Sequence, residues 1–246
     1  MDLDAIIEVA KGAKDIRTEI KEETITEQSA WRGEKPRIGY ILDKSFWFYY
    51  PENLEVLEKM GAVLIKIDAL SAQEVPPLDA LYIGGGFPEC QAEALADNKS
   101  FRVLLKDNIE KGLPVYAECG GLIYLGENLI VDDKTYKMVG ALPIEFTFEK
   151  RPQGHGYTVL KVDHENPFYP IGHVLKGHEF HYSKAVVSEG EELESVFEVS
   201  RGSGVDGKRD GICRKNLLAT YTHIHAGGNP KWAEGIFKAA LKYKKR

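Results

Sequence analysis

From Pro36 to Leu125 the apolar residues fall in short unbroken runs separated by segments of helical period. The runs are Arg37 to Leu42 (RIGYIL), Ala62 to Ile67 (AVLIKI), Ala80 to Ile83 (ALYI) and Leu113 to Ala117 (LPVYA). Runs this short, bounded by turn residues, predict strands covered on both faces. Between them, Leu54 to Met60 (stopped by Gly61), Gln91 to Ala96 and Phe101 to Lys111 predict helices. The β-α-β-α order predicts an α/β fold, a mostly parallel sheet flanked by helices, with its functional edge at the strands' carboxyl ends.

After residue 130 the pattern becomes strand-rich. Tyr136 to Leu142, Ile144 to Phe148, Tyr157 to Val162, Gly177 to Ser183, Ser195 to Val199 and Leu217 to Tyr221 predict short strands. Gly202 to Gly211 predicts a hairpin or exposed loop, and Trp232 to Lys242 a closing amphipathic helix. The first thirty residues differ: Leu3, Ile6, Ile7 and Ala10 form one helical stripe, and a charged, Thr- and Glu-rich segment runs to about Ser29. So little apolar surface predicts a linker or the tail of a partner element.

A chain of 246 residues can hold one large α/β domain with an appendage. The net charge of -6 argues against a general nucleic-acid binder. Three cysteines without a CxxC pair suggest neither a disulfide framework nor a zinc site. The amino terminus carries acids where a secretory signal has a basic region, and no apolar run reaches membrane-spanning length. A cytoplasmic protein without a membrane partner is expected.

Candidate chemistry centres on PVYAECGGLIYL. Cys119 follows a strand and opens a helix through Gly120 and Gly121. That elbow places a thiol at the positive end of a helix, among free backbone N–H groups, as G-x-S-x-G hydrolases place serine. A small core cysteine at a tight turn is the alternative that this stretch leaves open. The Gly84-Gly85-Gly86 loop ends another strand at the same sheet edge. A thiolate nucleophile needs a base, and of seven histidines His223 follows a strand at that edge. His178 and His181 fall on opposite faces if their run is a strand. Glu118, by the same alternation, points away from Cys119 and is set aside as a third member. The aromatic run Phe46 to Tyr50, before a helix, reads as core. His155 with Lys150 and Arg151 reads as a solvated loop or a contact for substrate carboxylates, and Cys90 and Cys213 read as structural.

The strings FWFYYPENLEVLEKMGA, LYIGGGFPECQAEALADN, PVYAECGGLIYLGENL, MVGALP, KGHEFHYS and YTHIHAGGNP, in that order, resemble the C-terminal glutamine amidotransferase domain of the cobyrinate a,c-diamide synthase family. Its relatives act on other modified tetrapyrroles, such as nickel-sirohydrochlorin. The resemblance implies a class I glutamine amidotransferase-like (flavodoxin-like) fold over residues 36–246. It makes residues 1–35 a linker and the last helix of an ATP-dependent synthetase domain. It implies Cys119 as the nucleophile on glutamine and His223 as its proton carrier, with oxyanion donors from Gly120 and from Gly85 or Gly86. It places Phe46 to Tyr50 and KGHEFHYS by the active-site face, toward the synthetase half, and implies no cofactor on this chain; ATP and Mg2+ would sit on the synthetase partner, which would also hold most of the tetrapyrrole. Many related amidotransferases carry a Glu two residues after the histidine. His225 stands there, so the resemblance implies a Cys–His dyad. The glutaminase half of cobyric acid synthase and a non-catalytic tetrapyrrole binder are the alternatives.

Overall fold

The computed structural model describes residues 2–13, 31 and 33–245. It divides into two units, Met1–Ala30 and Trp31–Arg246. In the first, α1 (Leu3–Lys11) is started by the Asp2 carboxylate, which accepts from the Ala5 N–H, and it buries no residue. The charged segment expected as far as Ser29 lies outside the described residues.

The second unit begins with β1 (Arg37–Ile41), β2 (Phe46–Phe48), α2 (Pro51–Lys59), β3 (Val63–Ile67), β4 (Ala80–Ile83) and β5 (Gly85–Gly86). After a 3-10 turn at Pro88–Gln91 come α3 (Ala92–Asp97), α4 (Lys99–Glu110), β6 (Val115–Glu118) and α5 (Gly120–Leu125). Then follow β7 (Asn128–Val131), β8 (Lys134–Lys137), β9 (Ile144–Phe148), β10 (Gly154–Val162), β11 (Val174–His181) and β12 (Ser183–Val187). The chain closes with β13 (Glu194–Arg201), β14 (Arg209–Arg214), β15 (Leu217–Thr220) and α6 (Pro230–Lys244).

Nine strands form one sheet in the order β11-β10-β13-β14-β15-β6-β4-β1-β3. From β15 to β3 every pairing is parallel, as the apolar runs predict, and from β15 to β11 every pairing is antiparallel. A second sheet, β12-β9-β7-β8, stands apart from it. Strand alternation sends Leu81, Ile83, Val115 and Ala117 into one core, and Ala80, Tyr82, Tyr116 and Leu218 into the other. On the first face α4 lays down Phe101, Leu105 and Ile109 at helical spacing, with Asn98 capping its start. On the second, α6 begins at a proline and buries Trp232, Ile236, Phe237 and Ala240.

Of the two readings of Gly202 to Gly211 the structure has the hairpin, joining β13 to its antiparallel neighbour β14, and its end is the start of β14, where Asp210 is fully buried. Thr220 Oγ1 donates to Asp210 at 2.7 Å and the Tyr221 N–H at 3.1 Å, which explains a carboxylate inside a glycine-rich strand. Cys213 accordingly lies in a strand and is buried, its thiol pushed up to about 12 by burial and by the Glu194 charge, whereas Cys90 is exposed.

Candidate active site

Cys119 leaves β6 with φ 47° and ψ −99°, in the left-handed region that non-glycine residues rarely adopt. Its N–H is held by Thr220 O at 2.7 Å, and its carbonyl accepts from Ile123, the first bond of α5. The backbone is therefore fixed on both sides of the thiol. Gly120 is the first residue of α5, a position whose N–H has no partner inside the helix.

The glycine loop closes on this point. β5 pairs with β2, Phe46 opposite Gly86 and Phe48 opposite Gly85, so the aromatic run and the glycine loop form one small ribbon. A Cβ at Gly120 would stand 2.9 Å from Gly86 N, at Gly86 it would overlap the Ser45 carbonyl, and at Gly85 it would overlap the His223 ring. These three glycines let two backbones and an imidazole meet at van der Waals distance.

His223 lies just beyond β15, the strand beside β6, and is 5 % exposed. Phe48 packs edge-on against its ring at 4.7 Å, and His178 stacks on it at 5.0 Å. A two-bond clasp ties the backbones of these histidines: His178 N–H donates to His223 O at 3.2 Å and His223 N–H to His178 O at 2.8 Å. The Tyr50 hydroxyl reaches His178 Nδ1 at 3.1 Å. The aromatic run thus serves both expected roles: Phe46 is fully buried in the core, while Phe48 and Tyr50 line the site. β11 also covers the nucleophile, since the Cys119 thiol points to Phe180 O at 3.8 Å. A cleft of about 580 Å³ opens beside these groups, lined by Phe48, Tyr50, His155, Tyr157, His178 and Phe180, with room for an amino acid. Lys150 and Arg151 are exposed and do not line it.

Glu118, set aside because alternation turns it away from Cys119, comes to lie beside His223. Its carboxylate is 1 % exposed, with Oε2 3.5 Å from His223 Nδ1. Period-two alternation holds only within a strand; Cys119 has already turned out of β6, and His223 stands past the strand ends, where groups from both faces reach it. Burial pulls the imidazole down, but Cys119 and Glu118 outweigh it by hydrogen bonding and charge and push it up to about 10. The Glu118 contact is an ion-pair approach, longer than a hydrogen bond, and Nδ1 makes no hydrogen bond. His178 is shifted the other way, by burial and then by the charge of His223.

A parallel sheet with a strained cysteine elbow, and a histidine on the neighbouring strand at its carboxyl edge, defines a class I glutamine amidotransferase-like architecture. Solved structures share the fold. PurLQS from Thermotoga maritima superposes with a TM-score of 0.62 at 14% identity, covering 86% of this chain and 100% of that one. A glutamine amidotransferase, also from Thermotoga maritima, gives 0.53 at 14% identity, over 87% and 86%. Residues 37–231 match the CobB/CobQ-like glutamine amidotransferase domain, and the chain belongs to that family. It is 42% identical to the cobyrinate a,c-diamide synthase of Magnetococcus marinus, over 95% of this chain and 50% of that protein. The chain spans about half the length of the curated relatives it matches. Among the described residues no helix is long and apolar enough to cross a membrane.

Proposed function

We propose that this glutamine amidotransferase releases ammonia from glutamine through a Cys119 thioester and delivers it to an ATP-using synthetase. The observation that carries the reading is the convergence of Cys119, His223 and the Gly86–Gly120 contact at one enclosed point. The Cys119 thiolate attacks the side-chain amide carbon of glutamine. The oxyanion that forms is held by backbone N–H groups of Gly120 and of Gly85 or Gly86, each such donor worth about 3–4 kcal/mol in a dry site. His223, with its raised affinity for a proton, protonates the amide nitrogen. The C–N bond then breaks and ammonia leaves. Water, giving a proton to the neutral imidazole, cleaves the thioester to glutamate and restores the thiol.

The synthetase partner, carrying ATP and Mg2+, would activate peripheral acetate carboxylates of a corrin- or sirohydrochlorin-type ring for amidation. The names of the full-length relatives support this assignment. A cytoplasmic location follows from the same reading. Cys119→Ala is expected to abolish glutamine hydrolysis while leaving ammonia-supported amidation by the reconstituted pair intact. Ammonia release from glutamine by that variant would refute the nucleophile assignment. Mixing the chain with its synthetase, ATP, glutamine and individual ring substrates, and weighing the products by mass spectrometry, identifies the ring.

A further inference from the structure

The acid that would orient the imidazole is absent from its usual place two residues after His223. His225, which stands there, is partly exposed and turns to Glu52 at 3.6 Å and to the Gly227 N–H at 3.1 Å. Yet His223 Nδ1 is buried and makes no hydrogen bond. An orphaned ring nitrogen in a closed site is costly, and the flat stacking of His178 covers a face of the ring, not its edge. Of the carboxylates among the described residues, the one beside this edge is Glu118.

That carboxylate is itself held from three sides. Ile224 N–H donates to Oε1 at 3.3 Å, the Tyr82 hydroxyl donates to Oε2 at 3.0 Å, and Oε2 faces His223 Nδ1. Tyr82 is fully buried, wedged among Tyr49, Tyr116 and Trp232. The segment that carries His223 is pinned as well: buried Asn53 donates to Ile224 O and accepts from the Ala226 N–H, both at 2.7 Å. Both ends of the Glu118–His223 approach are thus fixed by groups with no part in the chemistry.

We infer that Glu118 is a positioning residue for His223, an acid supplied from the position before the nucleophile instead of from beyond the histidine. It accepts the Nδ1 proton and so turns Nε2 toward the sulfur and the amide nitrogen. The inference rests on the proposed roles of Cys119 and His223. The titratable groups facing this pair are Cys119 and His178 around the ring, and Tyr82, Tyr49, Tyr50 and Tyr116 in the field of the carboxylate. The phenols are all shifted upward, by burial first and then by neighbouring charge, so they stay neutral where the enzyme works.

The test needs no synthetase. In the full chain, 6-diazo-5-oxo-norleucine, an electrophilic glutamine analogue, labels Cys119 at a rate read by mass spectrometry. Glu118→Gln keeps the shape but offers an amide donor where an acceptor is needed. Its maximal labelling rate is expected to fall about 100-fold or more, with the half-saturating concentration unchanged. Glu118→Asp is expected to recover part of the rate. In parallel, nitrogen NMR of His223 is expected to show the neutral wild-type ring protonated on Nδ1, and the Glu118→Gln ring protonated on Nε2 and titrating at lower pH. A folded Glu118→Gln labelled at the wild-type rate overturns the inference. So does a neutral wild-type ring protonated on Nε2, which decides the matter alone if the variant does not fold. Wild-type labelling that misses Cys119 instead overturns the proposed nucleophile, and the NMR result still judges the Glu118 contact.

Discussion

A methyl group at position 85 would occupy the space of the His223 Cε1 atom, and the ring has nowhere to retreat between Phe48 and His178. Gly85→Ala is therefore expected to displace the imidazole and lower glutamine turnover by at least about 100-fold, since misplacing a reacting group by one ångström costs that much. The loss should fall on kcat in steady-state assays, because the group displaced is the one that moves the proton. At this scale the chain was partly legible. Cys119 and His223 could be picked out because a strand, a turn and a helix leave a recognisable string. Glu118 could not, because alternation within β6 is a true rule that ends one residue too early. His178 escaped for another reason: nothing local announces that a strand from the far wing returns to stack on a histidine.

Among the elements, α2 is unusual in burying little besides Asn53 and Leu57, one of them polar. Asn53 works as a clip on the segment after His223, satisfying Ile224 O and Ala226 N–H together. Asn53→Ala leaves both buried backbone groups unpaired, and a loss of about 2–4 kcal/mol is expected in urea unfolding. Glutamine turnover should fall with it, as the His223 segment loosens. The parallel strands and the helices between them followed from unbroken apolar runs and helical stripes, and their boundaries shift by only a few residues. The β2–β5 ribbon did not, because two glycines have no apolar signature to pair with. β14 followed only in part, because its glycine-rich start reads equally as a hairpin or an exposed loop until Asp210 finds its hydroxyl and amide donors.

For the whole molecule, two shifted groups set opposite limits on stability against pH. His223 has a raised pKa in the folded state, about 10 against an ordinary 6.5. Its contribution is full below pH 6.5 and disappears as the pH climbs toward 10. Asp163 is lowered to about 2 by its pairing with Arg209, then His164, against burial, so its contribution is full above its ordinary value of 3.8 and is lost as acid approaches 2. That pair is partly exposed and screened by solvent, so it supplies the smaller share. The difference in unfolding free energy between the wild type and His223→Gln should stay level through acid pH and shrink steadily between 6.5 and 10. Calorimetry or urea titration across that interval measures it, and a difference that grows with pH would contradict the assignment.

The clasp between His178 and His223 has a topological side. β11 is the outermost strand of the antiparallel wing, four places from β15 in the sheet, yet its backbone pairs with the residue that leads on from β15. The wing therefore bends round into a ring of five strands, and those two hydrogen bonds are its buckle. The buckle carries the imidazole's own peptide, and two residues along the same strand lies the carbonyl that the thiol faces. The outermost strand of the wing therefore holds the backbone of the base and covers the nucleophile from one continuous element.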